Sequence, residues 1–187
     1  MTRIIGGQAA AVRLEVPPRG TRPTSDKVRE AMFSTLDSAF ELDGARVLDL
    51  YAGTGALGLE ALSRGAESVV LVEKSEQAAR LLRTNARAVS RQLPRASASV
   101  ENSPVARWLA RGLGEFDLVF IDPPYDVATA TVYGELELLL PLLSPDALVV
   151  VERSSRSDAI EAPEGYVLWR QKDYGETVVR YFELASR

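Results

Sequence analysis

The sequence predicts an α/β fold: a mostly parallel sheet with helices on both faces and an antiparallel hairpin at its C-terminal end. Three observations predict it. From residue 46 onward, apolar strand-like runs alternate with segments of helical spacing, which is the signature of a parallel sheet whose crossovers are helices. One run, Leu118-Val119-Phe120-Ile121, has no polar break and reads as a buried strand. The tail then abandons the alternation: "YVLWRQK" and "TVVRYFELA" flank Asp173-Tyr174-Gly175-Glu176, a hairpin pattern.

The elements follow in order. "RIIGGQAAAVRLEVP" predicts a small hairpin turning at Gly6-Gly7, and Pro17, Pro18, Gly20 and Pro23 a linker. A cap at Thr24, Ser25 or Asp26 starts a helix to about Phe40, with Val28, Met32, Leu36 and Phe40 on one face. Residues 46–52 form a strand and 56–65 a helix, with Gly65 suited to the position after its end. Residues 68–74 are the next strand, and Ser75 caps a helix over 76–92 with Pro94 beyond it. A strand over 96–102 precedes Ser103, read as an N-cap with Pro104 at the first helical position. That helix runs to about Arg111. Residues 116–122 form a strand, 128–143 a helix broken near Pro141, and 147–154 the fifth strand of the repeat. The expected organisation is a hairpin and linker over 1–23, followed by one domain over 24–187.

Composition narrows the chemistry. The chain has 187 residues, 46% hydrophobic and 26% charged, the balance of an ordinary globular domain. It has neither cysteine nor histidine, so disulfides, Cys/His zinc sites and cysteine nucleophiles are excluded and no metal is expected. The first residues lack an apolar h-region, and no apolar run approaches membrane length. The expectation is a cytoplasmic monomer with no membrane partner. Net charge is −4, unevenly spread: residues 1–29 carry six basic and two acidic residues, which leaves −8 on the remainder. Segment 74–95 is also basic, with Lys74, Arg80, Arg83, Arg87, Arg91 and Arg95 against Glu76. Such asymmetry can mark a nucleic-acid footprint.

After the first strand of the repeat comes "DLYAGTGALG", in which Gly53, Gly55 and Gly58 form G-x-G-x-x-G between a strand and a helix. Glycines there let the backbone approach a ligand closely, in the manner of Rossmann-like nucleotide sites. Glu73 ends the second strand, 20 residues after Gly53, where a ribose-binding acid belongs. Dinucleotides and S-adenosylmethionine both use this strand, loop and helix. Asp49 at the loop entrance is awkward beside a pyrophosphate and suits a ligand with an amino group and a sulfonium. Its alternative role is to accept hydrogen bonds from the loop's own amides. Tyr51 either lines the pocket or packs.

The fourth strand ends on Asp122-Pro123-Pro124-Tyr125. In an open α/β sheet, ligands bind outside the carboxyl ends of such strands. Pro123 keeps Asp122 out of helical geometry, and Pro124 does the same to Pro123. Two acceptors, the Asp122 carboxylate and the Pro123 carbonyl, can then grip an exocyclic amine, while Tyr125 offers a face for a nucleobase. The alternative is an inert strand end. An amine conjugated to a base is a poor nucleophile. Two acceptors can localise its lone pair toward a methyl that the sulfonium already activates, so positioning supplies much of the catalysis.

"DPPY" together with "DLYAGTGALGLEA" resembles the class I S-adenosylmethionine-dependent amino methyltransferases, and "RIIGG" with "RPTSDKVREAMF" narrows the resemblance to the RsmD family. It covers nearly the whole chain. It implies a seven-stranded sheet with a reversed C-terminal hairpin, and S-adenosylmethionine as cofactor. It implies as substrate the N2 of a guanine in 16S ribosomal RNA, position 966 in bacterial numbering, within the small subunit or its assembly intermediate. It implies that Asp49, Gly53 and Gly55 surround the methionine part of the cofactor. Glu73 would hold the ribose, Asn102 and Ser103 would contact adenine, and Asp122 through Tyr125 would form the catalytic motif. Asn102 stands where many relatives in the wider class carry Asp. The arm after "IIGG" is often richer in basic residues than the "QAAAVRL" found here, which weakens or shifts its grip on RNA.

Arg3, Arg13, Arg19 and Arg22 are the arginines expected to track phosphates. Arg80, Arg83, Arg87 and Arg91 read either as a second contact or as a solvated helix face. The arm lies outside the sheet pattern, so its removal is expected to spare the cofactor site. Trp108 reads as core. Three rivals stand beside guanine methylation: adenine-N6 methylation on RNA or DNA, a noncatalytic RNA-binding protein on the same fold, and an NAD-binding protein on the same loop.

Overall fold

A computed structural model of the chain describes residues 2–17 and 25–185. Arg19 and Arg22 lie outside the described residues. The elements are β1 (Thr2–Arg3), β2 (Arg13–Leu14), α1 (Asp26–Asp37), β3 (Arg46–Leu50), α2 (Ala56–Ser63), β4 (Ser68–Glu73), α3 (Glu76–Ser90), β5 (Ser97–Asn102), α4 (Val105–Leu109), β6 (Phe116–Ile121), α5 (Thr129–Leu139), a 3₁₀ turn over Leu140–Leu142, β7 (Leu143–Ser154), β8 (Tyr166–Tyr174) and β9 (Thr177–Leu184).

Seven strands form one sheet in the order β5-β4-β3-β6-β7-β9-β8. The first five are parallel to one another, and β9 runs antiparallel between β7 and β8. The order reverses between β3 and β6, which is the switch point where such sheets bind ligands. Alternate strand residues split between two cores. Val47, Val69, Leu71, Leu118 and Phe120 pack with α1, α2 and α3 on one face. Leu48, Leu50, Val72, Val119 and Ile121 pack with α4 and α5 on the other. Trp108 is core, 5% exposed and tilted against Phe116 at 6.0 Å.

Local signals explain most boundaries. Ser25 and Ser75 cap α1 and α3 through their hydroxyls. Gly65 follows α2 at φ 125°. The β8–β9 turn is the two-residue Gly175-Glu176, between the paired Tyr174 and Thr177. At α4 the structure differs from expectation: Pro104 takes the cap position, helix begins at Val105 and no side chain caps it. Pro141 is absorbed into the 3₁₀ turn, and β7 starts at Leu143 rather than Ala147.

The N-terminal hairpin is built into the fold more firmly than its sequence suggests. Ile4, Ala9 and Leu14 are buried in the α1–α3 core. The Glu60 carboxylate on α2 accepts from the Ile5 and Gly6 amides at 2.7 and 2.8 Å and from Arg64 Nε at 2.8 Å. Ser63 Oγ accepts from the Ala9 amide and donates to the Gly6 carbonyl. Arg29, fully buried on α1, donates to the Arg3 carbonyl at 2.6 Å. Arg29 is therefore a structural clamp, unavailable to phosphate. Removing the arm would therefore reach into the core: it would leave Glu60 and Arg29 buried with fewer partners, a costly state.

Candidate active site

Two loops meet at the switch point. Leu50 and Ile121 are register partners at the ends of β3 and β6, so Tyr51 and Asp122 leave neighbouring strands at the same level. The β3–α2 loop turns through left-handed backbone at Tyr51 (φ 63°), Gly53 (φ 54°) and Gly55 (φ 81°). At Gly55 a Cβ would also lie 2.6 Å from Leu82 and 2.9 Å from Leu59, so conformation and close packing both demand glycine. Tyr51 has no such licence. A non-glycine residue held there is strained, and strain of that kind concentrates at functional sites.

The acids in this half are already engaged. Glu73 Oε2 accepts from the Gly53 amide at 3.1 Å, and Oε1 from the Ser75 amide at 2.8 Å. Asn102 Nδ2 donates to the carbonyls of Glu73 and Lys74 at 2.9 and 3.1 Å, bracing the same corner from β5. Ser103 follows, with its hydroxyl on the Pro104 carbonyl. Asp49 is 2% exposed and accepts from the Gly58 amide at 2.8 Å. Burial pushes its carboxyl up to about 7; the Gly58 bond opposes this, and the charges of Asp122 and Glu73 add to it. Gly58 itself lies within α2, where a Cβ would meet Leu71 and Val69 at 2.7 and 2.8 Å. It permits close helix–sheet packing and holds Asp49, one layer behind the loop.

The other half is more open. Asp122 is half-buried, Pro123 buried, and Tyr125 60% exposed. The Val127 amide donates to the Pro124 carbonyl at 3.0 Å, closing the turn. Beside it lies a hollow of about 560 Å³, whose lining includes Tyr125, Thr129, Arg153, Arg156, Asp158 and Glu176. Of the groups expected from sequence, Tyr51, Gly53, Gly55 and the Asp122–Tyr125 loop lie at the switch point, Asp49 and Gly58 act from behind, Glu73, Asn102 and Ser103 sit toward β5, and Arg3 and Arg13 lie on the small hairpin.

Three residues at this site escaped the sequence reading. Tyr51 donates its hydroxyl to Glu135 on α5, at 2.7 and 2.8 Å to the two oxygens. Glu135 is 3% exposed, and burial raises its pKa against the pull of that hydrogen bond. A signal existed: Glu135 stands at core spacing with Val132 and Leu139, where an acid needs a partner. Arg153, at the end of β7, is 5% exposed and donates to the Val127 carbonyl at 2.7 Å. Asn85 on α3 donates to the Thr54 and Glu15 carbonyls, tying glycine loop and arm together.

Among the basic residues, Arg3 and Arg13 are exposed and paired across the small hairpin. On α3, Arg80 pairs with Glu76. Arg83 and Arg87 border a groove of about 360 Å³ against β5. Among the described residues no group could hold a metal ion, and no helix is long and apolar enough to cross a membrane.

A family model described as Conserved hypothetical protein 95 matches residues 2–183. The chain is 36% identical to Ribosomal RNA small subunit methyltransferase D of Escherichia coli, over 97% of this chain and 89% of that protein. The protein of the same name in Haemophilus influenzae is 31% identical, over 97% and 93%. A solved structure from Escherichia coli, described as a candidate methyltransferase, superposes with a TM-score of 0.84 at 34% identity, covering 100% of this chain and 99% of that one. With the fold, the two loops and a match of this extent, the chain belongs to the RsmD family.

Proposed function

We propose that this protein transfers a methyl group from S-adenosylmethionine to the exocyclic N2 of a guanine in small-subunit 16S ribosomal RNA, of the position-966 type. The observation that carries the reading is the register-matched meeting of two loops, one acid-lined and glycine-turned, the other Asp122-Pro-Pro-Tyr125. The names of the relatives support the substrate class.

The residues present fit the cofactor. Gly53 and Gly55 turn the loop through left-handed backbone, and the charges of Asp122 and Glu73 both bear on Asp49, buried behind it, a setting that favours a cationic ligand. Glu73 would hold the ribose, Asn102 and Ser103 would flank the adenine, and Asp49 with the loop amides would face the methionine part. S-adenosylmethionine supplies the activated methyl group. The protein's own part is to place the amine. The Asp122 carboxylate and the Pro123 carbonyl accept hydrogen bonds from its two N–H groups and turn its lone pair out of the ring, Asp122 stabilises the positive charge that grows on nitrogen, and the one proton that nitrogen must shed passes to solvent. Tyr125, exposed beside the hollow, stacks the base. Guanine N2 lies on the minor-groove edge of a pair, so the nucleotide must be unpaired or flipped to reach this position. Arg3, Arg13, Arg19 and Arg22 would hold the flanking backbone.

The test is methylation of small subunits from a strain that lacks the enzyme, with the product mapped by mass spectrometry. A single N2-methylguanine is expected. Label on an adenine N6 overturns the guanine assignment. Cofactor binding without any methylation supports a noncatalytic protein instead.

A further inference from the structure

We propose that Arg153 is a positioning residue for the substrate loop, holding Asp122–Val127 in the shape from which the amine is gripped. The inference rests on the reaction proposed above and names a residue outside its motifs.

The placement follows from register. Val151 is the partner of Ile121, so Arg153 lies two residues on, level with Pro123. Val151 and Ile121 face the α5 side of the sheet, and strand alternation points Arg153 the same way. There its Nη2 donates to the Val127 carbonyl at 2.7 Å. Val127 also closes the Pro124 turn through its amide, so one residue is held at both its amide and its carbonyl. Asp122 is the anion that bears electrostatically on the guanidinium, and the Tyr51 phenol, kept neutral by burial, stands near it from the other loop. Tyr51 is fixed in turn by Glu135.

Stability does not explain this arginine. A cation taken from water costs several kcal/mol unless it is well paired. Among the described residues Arg153 makes one hydrogen bond, and its buried Nε makes none. Replacing sparsely paired buried charge by an apolar group of similar volume is often neutral or stabilising. What a methionine cannot do is hold the Val127 carbonyl or set a positive charge beside Asp122. The two accounts of Arg153 therefore diverge: the stability account makes Arg153→Met costly to the fold and indifferent to the rate, and the positioning account makes it the reverse.

The experiment compares Arg153→Met and Arg153→Lys with the wild type in the full chain. It measures kcat and KM on small subunits, S-adenosylmethionine affinity by calorimetry, and melting temperature. The methionine variant should melt at or above the wild-type temperature, bind cofactor within about twofold and lose about 10–100-fold in kcat, since misplacing a reacting group by about 1 Å can cost 100-fold. Lysine restores charge and a donor on a shorter reach, so it should recover part of that rate while staying several-fold slow. Wild-type kcat in a folded methionine variant overturns the proposal, as does a loss confined to KM for RNA. If the methionine variant does not fold, a lysine variant with wild-type kcat overturns it and a slow one at normal cofactor affinity sustains it. A wild-type protein that binds cofactor but leaves subunits unmethylated would instead sink the proposed reaction.

Discussion

The two halves of the site differ in how finished they are. On the glycine-loop side almost every polar group has a partner within the protein: Glu73 holds two amides, Asp49 holds Gly58, and Asn85 holds Thr54. On the Asp122 side the loop stands beside an open hollow with Tyr125 60% exposed. The glycine-loop half is preorganised by packing and hydrogen bonds. The Asp122 half has its backbone fixed by two prolines and one arginine, and Tyr125 faces outward. Under the proposed reaction the first would meet a small cofactor with a finished cradle, and the second would leave room for a nucleotide to enter.

The sharpest way to break this contrast is at Asp122. Asp122→Ala should keep the fold and cofactor affinity and lose about 10²–10³ in turnover, the scale for one preorganised polar group at a reacting centre. Near-normal single-turnover rates would remove it from the chemistry. Glu73→Ala should do the opposite, weakening cofactor binding by about 1–3 kcal/mol, the scale of hydrogen bonds to a charged group. Calorimetry decides it. Because Glu73 also holds Gly53 and Ser75, part of the loss should appear in the unliganded protein as a lower melting temperature. Unchanged affinity would show that the loop needs no acid there.

The third comparison uses pH. The Asp49 carboxyl is pushed up to about 7, chiefly by burial. Its folded pKa therefore lies above its unfolded value, so the group binds more protons folded than unfolded. Its contribution to stability falls as pH rises from about 4 to 7. Cofactor binding runs the other way. A cationic ligand favours the carboxylate, so binding below about pH 7 must expel a proton. Affinity should rise by up to about tenfold per pH unit below that point and level off above it. Asp49→Asn should flatten the profile. A wild-type profile already flat from about pH 5 to 8 would mean that Asp49 is ionised before the cofactor arrives.

The sheet was legible from sequence because buried parallel strands and helical spacing are local patterns. The two loops were legible because glycines and prolines constrain their own backbone. What stayed hidden was what depends on distant partners. Glu135 finds Tyr51 84 residues away, and Arg153 finds Val127 from 26 residues away. Neither spacing carries a pattern. Gly58 was half legible: its place in G-x-G-x-x-G fits, but its closeness to Val69 and Leu71 belongs to helix packing. The anchoring of the arm stayed hidden for the same reason, since Glu60 lies 54 or 55 residues from the amides it holds.

The last comparison sets the arm against α3 as the route for RNA. Because Ile4, Ala9 and Leu14 are core, deleting residues 1–20 would confuse unfolding with weaker binding, and point changes are needed. Arg3 and Arg13 are exposed, directly opposite on β1 and β2. Arg3 is tied to Arg29 only through its backbone carbonyl, so changing either side chain leaves the clamp intact. Arg3→Gln with Arg13→Gln should spare the melting temperature and cofactor affinity while weakening RNA binding. For every phosphate released, the slope of log affinity against log salt should flatten by about 0.7 on single-stranded RNA, so releasing two should flatten it by about 1.4. The matching pair on α3, Arg83→Gln with Arg87→Gln, removes the two arginines that border the β5 groove. If the arm pair leaves the slope unchanged and the α3 pair flattens it, the backbone runs along α3 and the small hairpin is a structural clip. If only the arm pair flattens it, the arginines of α3 are a solvated face. Equal effects from both pairs would place the RNA across α1, α2 and α3, the helical layer on which arm and arginines both lie.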